Sequence, residues 1–336
     1  AGLSSSPKHF QDTIEGGGCP TNNLEEKASP GARPFAAVAG FVLPHCPFFA
    51  PKELYDYYYE RVDVPEPSIE DLARQPQAIK NFKKRRKIDV PLERERIRVA
   101  RAAYYGLCEY FDAQVGKLLS ALDEGGLVEN TLVIYCSDHG EMAGLHGCWW
   151  KSNYYEASVS VPLIARLPGA VPAATVCTSI CNLMDIGVTA VDLAGGSKLP
   201  QTDGHSLRSL LQGQEDPLRP GETVSEMRTG AGEPASRMLR RGPWKLYKCH
   251  DDTPPVLFNL TDDPAELNDL GEDSAYAAVR EELKVRLYAD WDPEYVERRS
   301  GELERDGALI TAWGKAVLPQ HPDALPVPDV EQVVPC

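Results

Sequence analysis

Residues 93–123 carry the longest helical pattern in the chain, and that pattern runs almost directly into an apolar strand. Ile97, Tyr104, Cys108, Phe111, Val115, Leu118 and Leu122 recur at three- and four-residue spacing, which lays one apolar stripe along a helix. Gly125 and Gly126 follow, and glycine is where such a helix stops. Residues 131–136 are rich in β-branched and aromatic side chains, and no charge appears until Asp138. A run of that kind suits a strand buried on both faces. A helix feeding a buried strand is the repeating unit of a wound parallel sheet, so α/β is the expected fold class, with helices on both faces of the sheet.

Chemistry gathers where that strand ends. Asp138, His139 and Gly140 come in succession, and ligands of open parallel sheets collect outside the carboxyl ends of the strands. A carboxylate and an imidazole before a sharp turn can form half of a metal site. Lys151 then offers a compact positive charge for an anion. The tripeptide alone reads more readily as a solvated turn. A second strand is expected over residues 34–43, ending in Pro44-His45-Cys46-Pro47. The two prolines stiffen the backbone and keep a helix from starting there. That leaves His45 placed for anion binding or proton transfer, or simply capping a loop.

The rest of the chain divides by texture. Residues 1–32 are rich in Gly, Ser, Pro and Asn and read as loop. Residues 33–221 form the α/β portion, with a further strand over 159–166 and a helix over 183–194. The basic run at 80–87 reads as a solvated face, because aromatic interleaving is limited to Phe82. His205 is assigned a core or hydrogen-bonding role. From 222 to 290 short strand candidates at 237–241, 244–248 and 257–260 suggest a small antiparallel sheet, with a helix over 276–290 packed on it. Residues 291–336 form a tail.

A chain of 336 residues can bury a substantial core. Its formal net charge of −15 argues against wholesale binding to nucleic acid or an anionic membrane, and no apolar run reaches the length of a membrane span. The local field of a metal and a lysine can still admit an anionic substrate. The nine cysteines include no Cys-x-x-Cys pair, so reduced thiols are expected rather than a disulfide framework; Cys177 and Cys181 are spaced to share a helix face or line a core. The first residues lack a secretory pattern, and a cytoplasmic location is the expectation.

The strand, Ser137-Asp138-His139-Gly140, His146-Gly147, Trp149-Trp150 and Lys151 together are far more specific than the tripeptide. This stretch resembles the sulfatase family, the formylglycine-dependent sulfuric ester hydrolases of the alkaline phosphatase-like superfamily. Leu145 is the one departure, standing where relatives carry Glu. The Pro-His-x-Pro element at His45, the Val-Pro-Leu-Ile of 161–164, the Asp-Gly-His of 203–205 and the Arg-Gly-Pro-Trp-Lys-Leu of 241–246 extend the likeness over residues 34–290. The tail is faintly similar to that of choline-sulfatase-like members, where tails cross to a neighbouring subunit. The resemblance implies a later part of an alkaline phosphatase-like wound sheet plus a small C-terminal antiparallel subdomain. It makes Asp138 and His139 metal ligands, Lys151 a sulfate-oxygen contact, and His45 an anion contact or leaving-group proton donor. It also implies a divalent metal, Ca2+ with Mg2+ and Mn2+ as alternatives, and a small sulfated ester as substrate, with a homo-oligomer formed through the tail.

The family's nucleophile comes from a Cys/Ser-x-Pro-x-Arg motif converted to formylglycine, and no Cys or Ser here fits that spacing. The early Asp-Asp pair that completes the metal site is absent as well. The expectation is therefore a truncated sulfatase, inactive alone and a weak metal binder, with exposed strand edges that make it prone to aggregate. Two other readings compete with it: a phosphomonoester or phosphonate hydrolase on the same scaffold, and a non-catalytic sulfatase-like binding or assembly module.

Overall fold

The structure is a computed structural model that describes residues 35–228 and 232–317. The loop expected over 1–32 and the end of the tail lie outside the described residues.

Helix α4 (Arg94–Glu124) is the expected long helix. Its end is set by glycine: the Gly125 N–H reaches Ala121 O, the Leu127 N–H reaches Leu122 O at 2.9 Å, and Gly126 takes φ 65°. A left-handed residue at that point satisfies carbonyls the helix would otherwise leave open. Helix α1 (Lys52–Tyr59) packs along α4, with Tyr58 stacked on Tyr105 at 5.7 Å. The approach is close because Gly106 lacks a side chain; a Cβ there would lie 2.8 Å from Ala50 Cβ. Helices α2 (Ile69–Arg74) and α3 (Gln77–Arg86) follow. Ser68 caps α2 through a reciprocal capping box with Asp71, which satisfies two amides that the first turn leaves open.

Strand β1 (Val133–Cys136) falls inside the expected run, but it is half-buried and not enclosed on both faces. It pairs antiparallel with β2 (Leu163–Arg166), Val133 opposite Arg166 and Cys136 opposite Leu163. The parallel partners expected from the apolar run do not occur among the described residues. The described part of the strand expected over 34–43, residues 35–43, is not a strand either. Val38 and Val42 stand 96% and 70% exposed, while Phe41 packs edge-on against Phe111 at 5.1 Å. An extended apolar segment becomes a strand only when a neighbour takes up its ladder hydrogen bonds, and no described residue pairs with this one. Between β1 and β2, α5 (Glu156–Val159) is a single turn where the strand was expected to begin.

Helices α6 (Met184–Leu193) and α7 (Arg208–Leu211) are joined by Arg208, which donates to Asp192 at 2.9 Å, and Asp185 of α6 ties down the segments around them. Its buried carboxylate accepts from the Asn182 and His205 amides and pairs with Arg219 at 2.5 Å. His205 is exposed, so the core alternative of its assigned role fails, and the hydrogen-bonding one is met by its backbone N–H and not by its ring. Cys177 and Cys181 precede α6 and share no helix face; both are free thiols.

Strands β3 (Glu222–Met227), β4 (Ser236–Arg241), β5 (Trp244–Cys249) and β6 (Val256–Asn259) form an antiparallel sheet in chain order. Alternation along the strands buries both faces. Leu239, Leu246 and Leu257 meet Leu283 and Leu287 of α8 (Ala277–Tyr288), together with Trp291. Met238, Tyr247, Val256 and Phe258 meet Ile79 and Phe82 of α3 and the loop residues Met142, Cys148, Tyr154 and Tyr155. Each fully enclosed side chain of this size contributes about 1.5–3 kcal/mol. The loop after β1 is thus pressed against a rigid sheet. Helix α9 (Pro293–Val317) occupies residues expected to be tail and buries none of its side chains. Among the described residues no helix is long and apolar enough to cross a membrane.

Candidate active site

The turn after β1 depends on Gly140. Its N–H donates to Ser158 O at 2.8 Å, and a Cβ on it would lie 2.1 Å from Ala157 O. Only glycine lets the two backbones meet there. The turn leaves Asp138 exposed, its Oδ1 accepting from the His139 amide at 2.9 Å. His139 Nδ1 lies 2.9 Å from Gly140 O. A carbonyl can only accept, so Nδ1 carries a proton, and in the neutral ring Nε2 is the nitrogen left free. Nε2 lies 3.5 Å from Asp138 Oδ2.

His45 reaches the same place from the 35–50 segment. Its Nδ1 lies 2.6 Å from Cys46 O and so carries the proton. Its free Nε2 accepts from Lys151 Nζ at 2.7 Å, across 106 positions of chain. The His45 and His139 rings lie 6.4 Å apart, edge to face. The structure therefore brings together all four residues singled out from the sequence. It adds no third ligand: among the described residues, no group of three or more His, Cys, Asp and Glu side chains could hold a metal. Asp138 and His139 nevertheless fit a cation as a pair, one oxygen and one unprotonated imidazole nitrogen converging from one turn. A hard ion takes about 6–8 ligands, mostly oxygen, so the pair is a partial set.

Other groups that build the site were not foreseen. The loop 143–152 holds Ala143, His146, Trp150 and Ser152 at positive φ, none of them glycine. Each costs about 1–3 kcal/mol, so neighbours must hold them. Arg101, on α4, donates to Ala143 O at 2.8 Å and to Asp63 at 2.7 Å. His146 O accepts from Gln75 at 2.8 Å and from Lys83 at 3.3 Å. Lys83 belongs to the basic run expected to be solvated, but it is buried with Ile79 and Phe82, one helical turn from Ile79. The His146 ring stacks on Tyr155 at 3.9 Å, and burial lowers its pKa to about 4, so it is neutral at ordinary pH. Beneath the loop, the ammonium of Lys245 is fully buried. It donates to Tyr154 O at 2.7 Å and to Glu156 at 2.8 Å, and it pairs with the buried carboxylate of Glu266. The Glu156 N–H donates to Glu266 at 2.6 Å. Position 245 falls inside an expected strand, but nothing in the local pattern distinguishes it from a solvent-facing lysine.

Comparisons with known proteins identify the family. The sulfatase family model matches residues 20–197, and the model described as N-sulphoglucosamine sulphohydrolase, C-terminal, matches residues 144–291. The chain is similar to the choline-sulfatase of Rhizobium meliloti (strain 1021), 33% identical over 273 residues, covering 78% of this chain and 52% of that protein. It is similar to arylsulfatase K of Mus musculus, 38% identical over 203 residues, covering 58% and 36%. Among solved structures it resembles the phosphonate monoester hydrolase SpPMH from Silicibacter pomeroyi, with TM-score 0.65 and 26% identity, covering 72% of this chain and 53% of that one. The chain spans about half the length of the choline-sulfatase it matches, and about a third of the arylsulfatase K. The α/β class holds, with antiparallel pairs in the part described. With more than half of its length under the family model, the chain belongs to the sulfatase family.

Proposed function

We propose that these residues serve sulfate ester hydrolysis, as the part of a sulfatase that grips the sulfuryl group and supplies part of the metal site. The observation that carries this reading is the contact between Lys151 and His45 beside the Asp138–His139 turn. Asp138 Oδ2 and His139 Nε2 would hold the cation, for which Ca2+ is proposed. When bound, that ion neutralises charge on the sulfuryl oxygens and on the attacking oxygen. Lys151 Nζ, now spent on His45, would turn to a sulfuryl oxygen as the ester enters. His45 Nε2, released from Lys151, could then take up a proton and give it to the leaving oxygen. A preorganised cation and proton donor of this kind act where charge develops.

The Cys/Ser-x-Pro-x-Arg motif from which the family draws its nucleophile does not occur in these 336 residues. Hydrolysis is proposed for a protein that joins this chain to a segment bearing that motif and the remaining carboxylates. A second reading, cleavage of a phosphonate monoester, is favoured by the likeness to the Silicibacter pomeroyi enzyme. The deciding experiment compares aryl sulfate, aryl phosphate and phosphonate monoester hydrolysis by the joined protein. Sulfatase activity should dominate, falling at least about a hundredfold in Lys151→Ala; dominant phosphonate cleavage would reverse the assignment. A homo-oligomer formed through residues after 291 is proposed on α9, whose Leu303, Ile310 and Trp313 stand exposed.

A further inference from the structure

Lys151 stands between two residues in the left-handed region, Trp150 at φ 63° and Ser152 at φ 73°. A side chain disfavours that region because its Cβ crowds the backbone. Such a conformation persists when surrounding groups over-determine it, and the direction in which Lys151 leaves the loop depends on it. Earlier in the loop, Arg101 holds Ala143 O, and Gln75 and Lys83 hold His146 O. At Trp150 the holding group is Glu141. One carboxylate oxygen, Oε1, accepts from the Ala143 N–H at 3.0 Å and from the Trp150 N–H at 2.6 Å. Beside it the Met142 N–H donates to Trp150 O at 2.8 Å. The two ends of an eight-residue excursion are thereby tied to one charged acceptor, and hydrogen bonds to a charged acceptor are about twice as strong as neutral ones. Although it follows Asp138 by three positions, Glu141 joins no group of three potential metal ligands among the described residues.

We propose that Glu141 is a positioning residue for Lys151. By closing the loop from Ala143 to Trp150, its carboxylate fixes the backbone on which Lys151 is carried and so delivers Nζ to His45 Nε2. The proposal rests on the reading of Lys151 as the anion contact, because that is the purpose the placement serves.

The test labels lysines of the full chain with an amine-reactive reagent, with and without inorganic sulfate, and follows each site by peptide mass spectrometry. Exposed Lys52 serves as the reference and fully buried Lys245 reports unfolding. In the unaltered chain Lys151 should label slowly, and more slowly still with sulfate. Glu141→Ala should speed labelling of Lys151 by at least about tenfold, the lower end for one hydrogen bond to a charged group, and abolish the effect of sulfate. Glu141→Gln keeps an oxygen at the same reach and should stay within about threefold of the unaltered chain. Lys52 and Lys245 should not change. If Lys245 becomes reactive in Glu141→Ala, Glu141→Asp decides, since it keeps the charge but withdraws the oxygen by one methylene; it too should speed Lys151. Labelling of Lys151 at the unaltered rate in a folded Ala or Asp variant overturns the proposal. Acceleration in Glu141→Ala without any effect of sulfate on the unaltered chain sinks the anion-contact reading and leaves the placement of Lys151 by Glu141 standing.

Discussion

Replacing Lys245 with Met keeps most of the side-chain volume and removes a fully buried ammonium. Three groups lose their partner. Glu156 is about a third exposed and can turn to water. Tyr154 O and Glu266 cannot, being enclosed under the site loop. Losing a hydrogen bond to a charged group costs about 1.5–3 kcal/mol, and breaking a buried ion pair from one side costs about 3–5 kcal/mol. These overlap, and Glu266 still accepts from the Glu156 N–H, so a deficit of about 3 kcal/mol at neutral pH is expected. At about 2–4 °C per kcal/mol this is a fall in Tm of about 6–12 °C. The deficit depends on pH. Burial raises the Glu266 pKa, and Lys245 opposes that rise; without Lys245 the folded-state pKa climbs further. A group whose folded pKa lies above its unfolded one adds stability at low pH and loses it as pH rises through the folded value. The variant should therefore be weakest at neutral pH and recover as the solution is acidified toward the Glu266 pKa. Adding Glu266→Gln removes the stranded charge and should restore more than half of the loss. Urea denaturation between pH 5 and 8 measures all of this. A deficit below about 1 kcal/mol at pH 7.5, or one that is the same at pH 5, would refute the claim that a buried, unpaired carboxylate is the cost.

Gly140→Ala forces a Cβ against Ala157 O; it should lower stability by about 2–3 kcal/mol and weaken Ca2+ binding in calorimetry, and a neutral result would show that the turn can relax. His146 should make the chain acid-sensitive. Its folded pKa of about 4 lies below the ordinary 6.5 because of burial, so the unfolded chain takes a proton that the folded chain refuses, and stability falls by about 3 kcal/mol as pH drops through that interval. His146→Phe, which can keep the stack on Tyr155, should flatten that part of the urea-denaturation profile; an unchanged slope assigns it to other groups.

How much of this was legible in the sequence follows from the range of the interactions. Helix α4 was readable because its stripe and its glycine stop are local, and β4, β5 and β6 because alternation and turn residues are local too. Asp138, His139, Lys151 and His45 could be singled out because their residue types sit in a specific pattern, and the structure sets them side by side. Apart from α9, a helix where a tail was expected, the failures concern partners. The 34–43 run has the composition of a strand, but Val38 and Val42 face solvent because a strand is a relation between two segments and no described segment pairs with it. Lys83 and Lys245 look like surface lysines until a fold brings His146 O to one and Glu266 to the other. Glu141 lies inside the recognised motif, yet its role depends on backbone at Trp150 adopting a conformation that no periodicity encodes. The residues expected to touch ligand were thus the ones a motif could reveal. Those that hold them in place act through backbone atoms, which carry no sequence signature. The substitutions that discriminate best between a poised site and a slack one are therefore at Glu141 and Lys245, on the supports and not on the ligand-facing residues.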